Sequence, residues 1–223
     1  MVAFWRGHVQ VLDSGGRCGL IAALLGDRLL NRPDAALRQA RAEQLVDRLG
    51  GRPLVLVGMM GAGKTTVGRR LAARLNRHFL DSDEEIEKAA QMTIPEIFEQ
   101  RGEPEFRAGE TRVIARVLKE HGVVLATGGG AFVNGETRIL VKSEAISVWL
   151  KAEIDILFER VSRRSNRPLL KTANPRATLQ KLIDDRYPIY AEADVTVVSR
   201  DVPQDVVAGD VIEAVLSHLK RQD

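Results

Sequence analysis

A chain of 223 residues, 44% hydrophobic and 28% charged, carries the material for one large domain or for a domain with an appendage. Its 33 Lys+Arg stand against 30 Asp+Glu, a near balance that disfavours a dedicated nucleic-acid binder, whose cations should outnumber its acids along a stripe. Aromatic residues, at 4%, are too scarce for a base-stacking platform, and the single cysteine, Cys18, permits neither an internal disulfide nor a thiolate metal cluster, which fits a reducing cytoplasm.

The amino-terminal stretch is apolar in parts, but Arg6, His8, Gln10 and Asp13 interrupt it, and Cys18–Gly26 lies between Arg17 and Asp27. Neither a signal peptide nor a membrane span is expected from such short runs. Residues 1–33 show no sustained period. From Asp34, read as a helix cap, Leu37, Ala40, Leu45, Val46 and Leu49 recur at helical spacing until Gly50-Gly51 stops them. Leu54–Val57 is a short apolar run leading into glycines, the mark of a buried parallel strand. Phe79-Leu80, Val123–Ala126, Ala145–Leu150 and Val195–Val198 repeat that character. Helical patterns lie between them at Thr65–Leu75, Asp83–Gln91, Pro104–His121, Glu153–Arg164, Ala177–Ala191 and Pro203–Leu219. Alternating strands and helices predict an α/β fold, a parallel sheet with helices on both faces.

After the first strand, Gly58-Met59-Met60-Gly61-Ala62-Gly63-Lys64-Thr65 satisfies G-x-x-x-x-G-K-[ST]. Glycines let backbone N–H groups wrap a polyphosphate, and the following helix aims its positive end at the same point. Lys64 adds a full charge for the β- and γ-phosphates, and the Thr65 hydroxyl suits Mg²⁺. A nucleoside triphosphate and a metal are therefore expected. The second strand runs into Asp81-Ser82-Asp83, two carboxylates two residues apart on one face, at the sheet end where open α/β folds bind ligands. One carboxylate beside Mg²⁺ and one beside an acceptor hydroxyl is the functional reading; a cap for a helix near Glu84 is the plain one, with Asp83 well placed for it.

Thr127-Gly128-Gly129-Gly130 spends backbone entropy on three glycines, which implies a tight turn or a ligand against bare amides. Arg107 and Arg186 are each able to bind a carboxylate bidentately, though each alone reads as a solvated helix arginine. Arg167-Pro168-Leu169-Leu170 reads as a lid carrying an arginine to the γ-phosphate or as a plain loop. His8, His78, His121 and His218 lack metal-ligand spacing.

Taken in order, Gly58–Thr66, Asp81–Asp83, Glu105–Arg107, Gly128–Gly130, Arg167–Leu170 and Arg186–Tyr190 resemble shikimate kinases across roughly Arg52 to Arg200. The resemblance implies a phosphate-loop fold of the nucleoside-monophosphate-kinase type, with a five-stranded parallel sheet in the order 2-3-1-4-5. It also implies transfer of the ATP γ-phosphoryl to the 3-hydroxyl of shikimate, on the route to chorismate and aromatic amino acids, by a cytoplasmic monomer with Mg²⁺ and without nucleic-acid or membrane partners. By the same resemblance Gly61, Ala62, Gly63, Lys64, Thr65 and Thr66 clamp the phosphates, Thr65 and Asp81 hold the metal, and Asp83 binds the acceptor hydroxyl. Arg107, Gly129 and Arg186 would then grip shikimate, Arg167 would be the lid arginine within a lid of about 165–176, and Arg164 the arginine beside adenine. Residues 1–51 have no counterpart in that family pattern and are expected to form an extension, helical over about 34–49, before a catalytic domain at 52–223. A partner arm, a docked helix and residues upstream of the true start are the readings left open for it. The nearest rival is another small-molecule kinase of this fold, such as a gluconate kinase, which has no need of the Arg107, Gly129 and Arg186 set; a non-catalytic nucleotide-dependent module is the rival of a different class.

Overall fold

The computed structural model describes residues 32–163 and 174–223. Five parallel strands, β1 (Leu54–Val57), β2 (His78–Asp81), β3 (Val123–Ala126), β4 (Ile146–Lys151) and β5 (Val195–Val198), form one sheet in the order β2-β3-β1-β4-β5, as expected. β1 lies at its centre, pairing Leu54 with Val124 of β3 and with Ile146 of β4. Every residue of β1 and β3 is buried, which is why these strands read as unbroken apolar runs without alternation.

The helices are α1 (Arg32–Leu49), α2 (Lys64–Arg74), α3 (Ser82–Ala90), α4 (Ile94–Val117), α5 (Gly135–Glu144), α6 (Ile154–Ser162), α7 (Pro175–Tyr190) and α8 (Gln204–Lys220). α3 starts at Ser82, earlier than the expected Asp83, because the Asp81 side chain accepts from the Asp83 amide and caps it. Asp81, then, and not Asp83, is the capping residue. α4 begins at Ile94, where the expected helix began at Pro104: Thr93 and Glu96 form a capping box, and Gly102 (φ 78, ψ 170) bends the chain between two helical halves. α5, capped by the Asn134 side chain, has no counterpart among the expected helices.

By contacts the chain divides into units Met1–Ala40 and Arg41–Asp223. Among the described residues of the first unit, Leu37 is 61% exposed. In the second, Ala42, Leu45 and Leu49 join the main core, Arg41 pairs with Glu213 of α8, and Arg48 donates to the Leu219 carbonyl. By contacts, then, residues 41–51 go with the sheet, because the second half of α1 buries its apolar face in that unit. Residues 1–31, Arg164, Arg167 and most of the expected lid lie outside the described residues.

Candidate active site

The carboxyl ends of β1, β2 and β3 open onto a cavity of about 430 Å³. Its walls include Gly61, Gly63, Lys64, Thr65, Thr66, Asp81, Asp83, Gly129 and Arg160. The loop between β1 and α2 depends on its glycines: Gly58 (φ 135), Gly61 (φ 82) and Gly63 (φ 92) occupy backbone conformations that side chains rarely adopt. At Gly58 a Cβ would also lie 2.7 Å from the Leu150 carbonyl oxygen, a backbone atom that cannot give way. Ser199 Oγ donates to the Ala62 carbonyl (2.9 Å), and Arg160 reaches the Gly61 carbonyl (3.4 Å) and Ser199 Oγ (3.1 Å), so the segment after β5 and helix α6 fasten the loop from behind. Lys64 Nζ donates to the carbonyls of Gly58 and Met59 at 2.8 and 2.9 Å, which keeps the ammonium over the loop.

Asp81 joins two elements. One oxygen accepts from Thr65 Oγ1 at the start of α2 (2.8 Å), and the other accepts from the Asp83 amide at the start of α3 (3.1 Å). Two hard oxygen donors, the Thr65 hydroxyl and the Asp81 carboxylate, thus sit side by side on the cavity wall. That donor set suits Mg²⁺, which takes one or two protein oxygens and completes its shell with phosphate and water.

Asp83, Arg107 and Arg186 are far apart in the chain and converge on Gly128–Gly130. A Cβ at Gly128 would lie 2.7 Å from Asp83 Oδ1, and one at Gly130 would lie 2.6 Å from Arg107 Nη1. Arg186 Nη1 donates to the Gly129 carbonyl at 3.2 Å. Buried Ser82 fixes the start of this run, its Oγ accepting from the Gly128 amide at 2.8 Å.

Sequence reasoning did not find Glu110, which is 1% exposed and accepts from Arg107 Nη1 at 2.7 Å, while Glu103 takes the other edge of the same guanidinium. Burial raises the Glu110 carboxyl above its ordinary range against the pull of Arg107, with Asp83 and Glu103 adding to the rise. Burial also acts to lower Arg107, but its bonds to Glu110 and Glu103 prevail and hold it above the usual arginine value. A signal existed: Glu110 follows Arg107 by three residues on a helix, the spacing at which side chains meet. Tyr190, fully buried, was also not singled out, and its hydroxyl donates to the Gly129 carbonyl.

Comparison with known proteins adds the family context. A model of the shikimate kinase family matches residues 60–216. A shikimate kinase of Rhodopseudomonas palustris is 56% identical over 185 residues, 83% of this chain and 91% of that protein. One from Rhizobium leguminosarum bv. trifolii is 52% identical over 88% of this chain and 97% of its own. Matches of that extent are longer than residues 52–223 alone provide, so in these relatives they take in part of the first 51 residues, while the family model itself begins at residue 60. Among solved structures, a shikimate kinase from Acinetobacter baumannii in complex with shikimate is 42% identical, with a TM-score of 0.72 over 75% of this chain and 94% of that one. A gluconokinase from Sinorhizobium meliloti, 18% identical with a TM-score of 0.51, shares the fold.

Proposed function

The chain belongs to the shikimate kinase family, and on that basis we propose that it transfers the γ-phosphoryl of ATP to the 3-hydroxyl of shikimate, giving shikimate 3-phosphate and ADP. The observation that carries the reading is the gathering of Asp83, Arg107 and Arg186 on three consecutive glycines beside the phosphate loop.

Phosphoryl transfer asks the protein chiefly for alignment and charge neutralisation. The amides of Gly61–Thr66 and the Lys64 ammonium hold the β- and γ-phosphates. Thr65 and Asp81 would hold Mg²⁺, which would supply charge neutralisation for the transferring phosphoryl group. Two cations, Arg107 and Arg186, take the shikimate carboxylate at the other end of the acceptor, fixing its direction. Glu110 keeps the Arg107 guanidinium aimed, and Asp83 binds the 3-hydroxyl and draws on its proton as the new P–O bond forms. Arg160 of α6 and Arg163 just past its end both line the cavity, which favours this end of α6 for the base of ATP; the Arg164 and Arg167 assignments lie outside the described residues. A cytoplasmic location is supported by the single cysteine.

ADP release by the purified protein with Mg·ATP is expected to require shikimate, and to stay at the acceptor-free rate with gluconate. Equal rates with and without shikimate would sink the proposal. Asp83→Asn is expected to lower kcat by about 10²–10⁴ with ATP binding retained; loss of nucleotide affinity in that variant would count against the role given to Asp83.

A further inference from the structure

The Gly129 carbonyl accepts from two donors, Arg186 Nη1 at 3.2 Å and the Tyr190 hydroxyl, one turn apart on α7. Tyr190 is 0% exposed, with its ring between Trp149 (centroids 6.1 Å apart) and Tyr187 (6.4 Å) and its oxygen 3.9 Å from Met59 Sδ. Burial pushes its phenol up to about 12, with Arg186 pulling the other way, so the group stays an O–H donor at any working pH. A trans peptide is flat and its C=O and N–H point in opposite directions. Drawing the Gly129 carbonyl toward the buried phenol therefore turns the Gly130 N–H away from the core. Among the described residues neither the Gly129 nor the Gly130 N–H has a hydrogen-bond acceptor, whereas the Gly128 N–H is taken by Ser82.

We propose that Tyr190 is a positioning residue for the acceptor: through the Gly129 carbonyl it fixes the Gly129–Gly130 peptide and the Arg186 guanidinium in the one arrangement that meets shikimate. The phenol itself touches no substrate. This inference rests on the function proposed above, and it assigns Tyr190 to the acceptor half of the site with no part in nucleotide binding.

α7 supplies its own control. Tyr187 donates its hydroxyl to the Ala152 carbonyl, at the end of β4 and away from the cavity wall. Tyr190→Phe and Tyr187→Phe each delete one oxygen and its bond to a main-chain carbonyl from the same helix and keep the ring packing, Tyr190→Phe also losing the weak contact with Met59 Sδ. Full-length wild type and both variants are compared for Tm and for steady-state constants toward each substrate. Tyr190→Phe is expected to raise the shikimate KM by about tenfold, the scale of one lost bond that aligns a charged group, and to leave the ATP KM within about twofold. Tyr187→Phe is expected to leave both KM values within about twofold. If Tyr190→Phe matches Tyr187→Phe, moves both KM values in parallel, or fails to fold while Tyr187→Phe folds, Tyr190 is structural and the inference is overturned. If wild type shows no shikimate-dependent ADP release, it is the proposed function that fails, and the two failures remain distinct.

Discussion

At Gly128 and Gly130 an added methyl would displace Asp83 and Arg107, but at Gly129 the nearest atom to an added Cβ is the Met60 amide nitrogen at 3.6 Å, an ordinary contact. Gly129 also has no positive φ. The folded protein therefore has no need of glycine at 129, which leaves its backbone open to the ligand contact that the proposed function gives it. Gly129→Ala is expected to keep the wild-type Tm or exceed it, since replacing glycine at a compatible φ stabilises by about 0.4–1 kcal/mol through the unfolded chain. The same variant should raise the shikimate KM at least tenfold, one contact's worth on the scale of about 1.4 kcal/mol per decade, with the ATP KM unmoved. Steady-state kinetics and a thermal melt decide it, and a normal shikimate KM would refute the reading. The sequence displayed the cost of three glycines in a row but not its separate causes: two of them make room for functional side chains that arrive from residues 83 and 107. Glu110 was hidden differently, as one of many acids on a helix, because its near-complete burial is a property of packing and has no local signature.

Among the elements, α4 departs most from its reading. Pro104 and the apolar period after it marked a helix start, and that signal was physically sound, since Gly102 breaks the helix two residues earlier. The turns from Ile94 to Arg101 carry Ile94, Ile97 and Phe98 at i, i+3 and i+4, behind Thr93 and Glu96 at capping-box spacing, a helix signal that a start at Pro104 passes over. What joins the halves is tertiary: Phe98 and Phe106 pack across the bend with ring centroids 4.6 Å apart. The bend decides where the second half aims Arg107 and Glu110. At φ 78 and ψ 170 Gly102 sits in a region open essentially to glycine alone, and a Cβ there meets only Pro104 Cδ at 3.7 Å. The penalty for Gly102→Ala is thus backbone strain without a clash, about 1–3 kcal/mol. Urea unfolding should show that loss, together with a raised shikimate KM as Arg107 shifts. An unchanged midpoint would mean that the bend is not held at Gly102. The inner strands β1 and β3, by contrast, match their apolar runs to the residue, because burial on both faces forces an uninterrupted run, whereas the edge strand β2, only partly buried, extends one residue beyond Phe79-Leu80 at each end.

For the molecule as a whole, length allows a domain with an appendage, and contacts group residues 41–51 with the sheet. Composition changes after residue 33 and again at Gly50-Gly51, so a boundary at the glycine pair was the natural reading of the sequence. Packing ignores that punctuation. Leu45 is 0% exposed, Ala42 2% and Leu49 5%, and Arg77 reaches back to the carbonyls of Gly50 and Arg52, so the stretch 41–52 is part of the catalytic unit. Two truncations separate the possibilities. A chain starting at residue 41 retains these contacts, whereas one starting at residue 52 strips Leu45 and Leu49 from a core whose remaining walls cannot close over the gap. Each buried leucine lost is worth about 2–5 kcal/mol, against a total domain stability of about 5–15 kcal/mol. The shorter chain is therefore expected to melt at least 10 °C below the longer one, by the usual scale of about 2–4 °C per kcal/mol for a unit of this size. It should also lose phosphoryl transfer at temperatures where the longer chain still works, because Leu45 and Leu49 belong to the same core as β1, which carries the phosphate loop directly at its end. Equal melting temperatures for the two would put the boundary at residue 51 and make the helix an ornament of the fold.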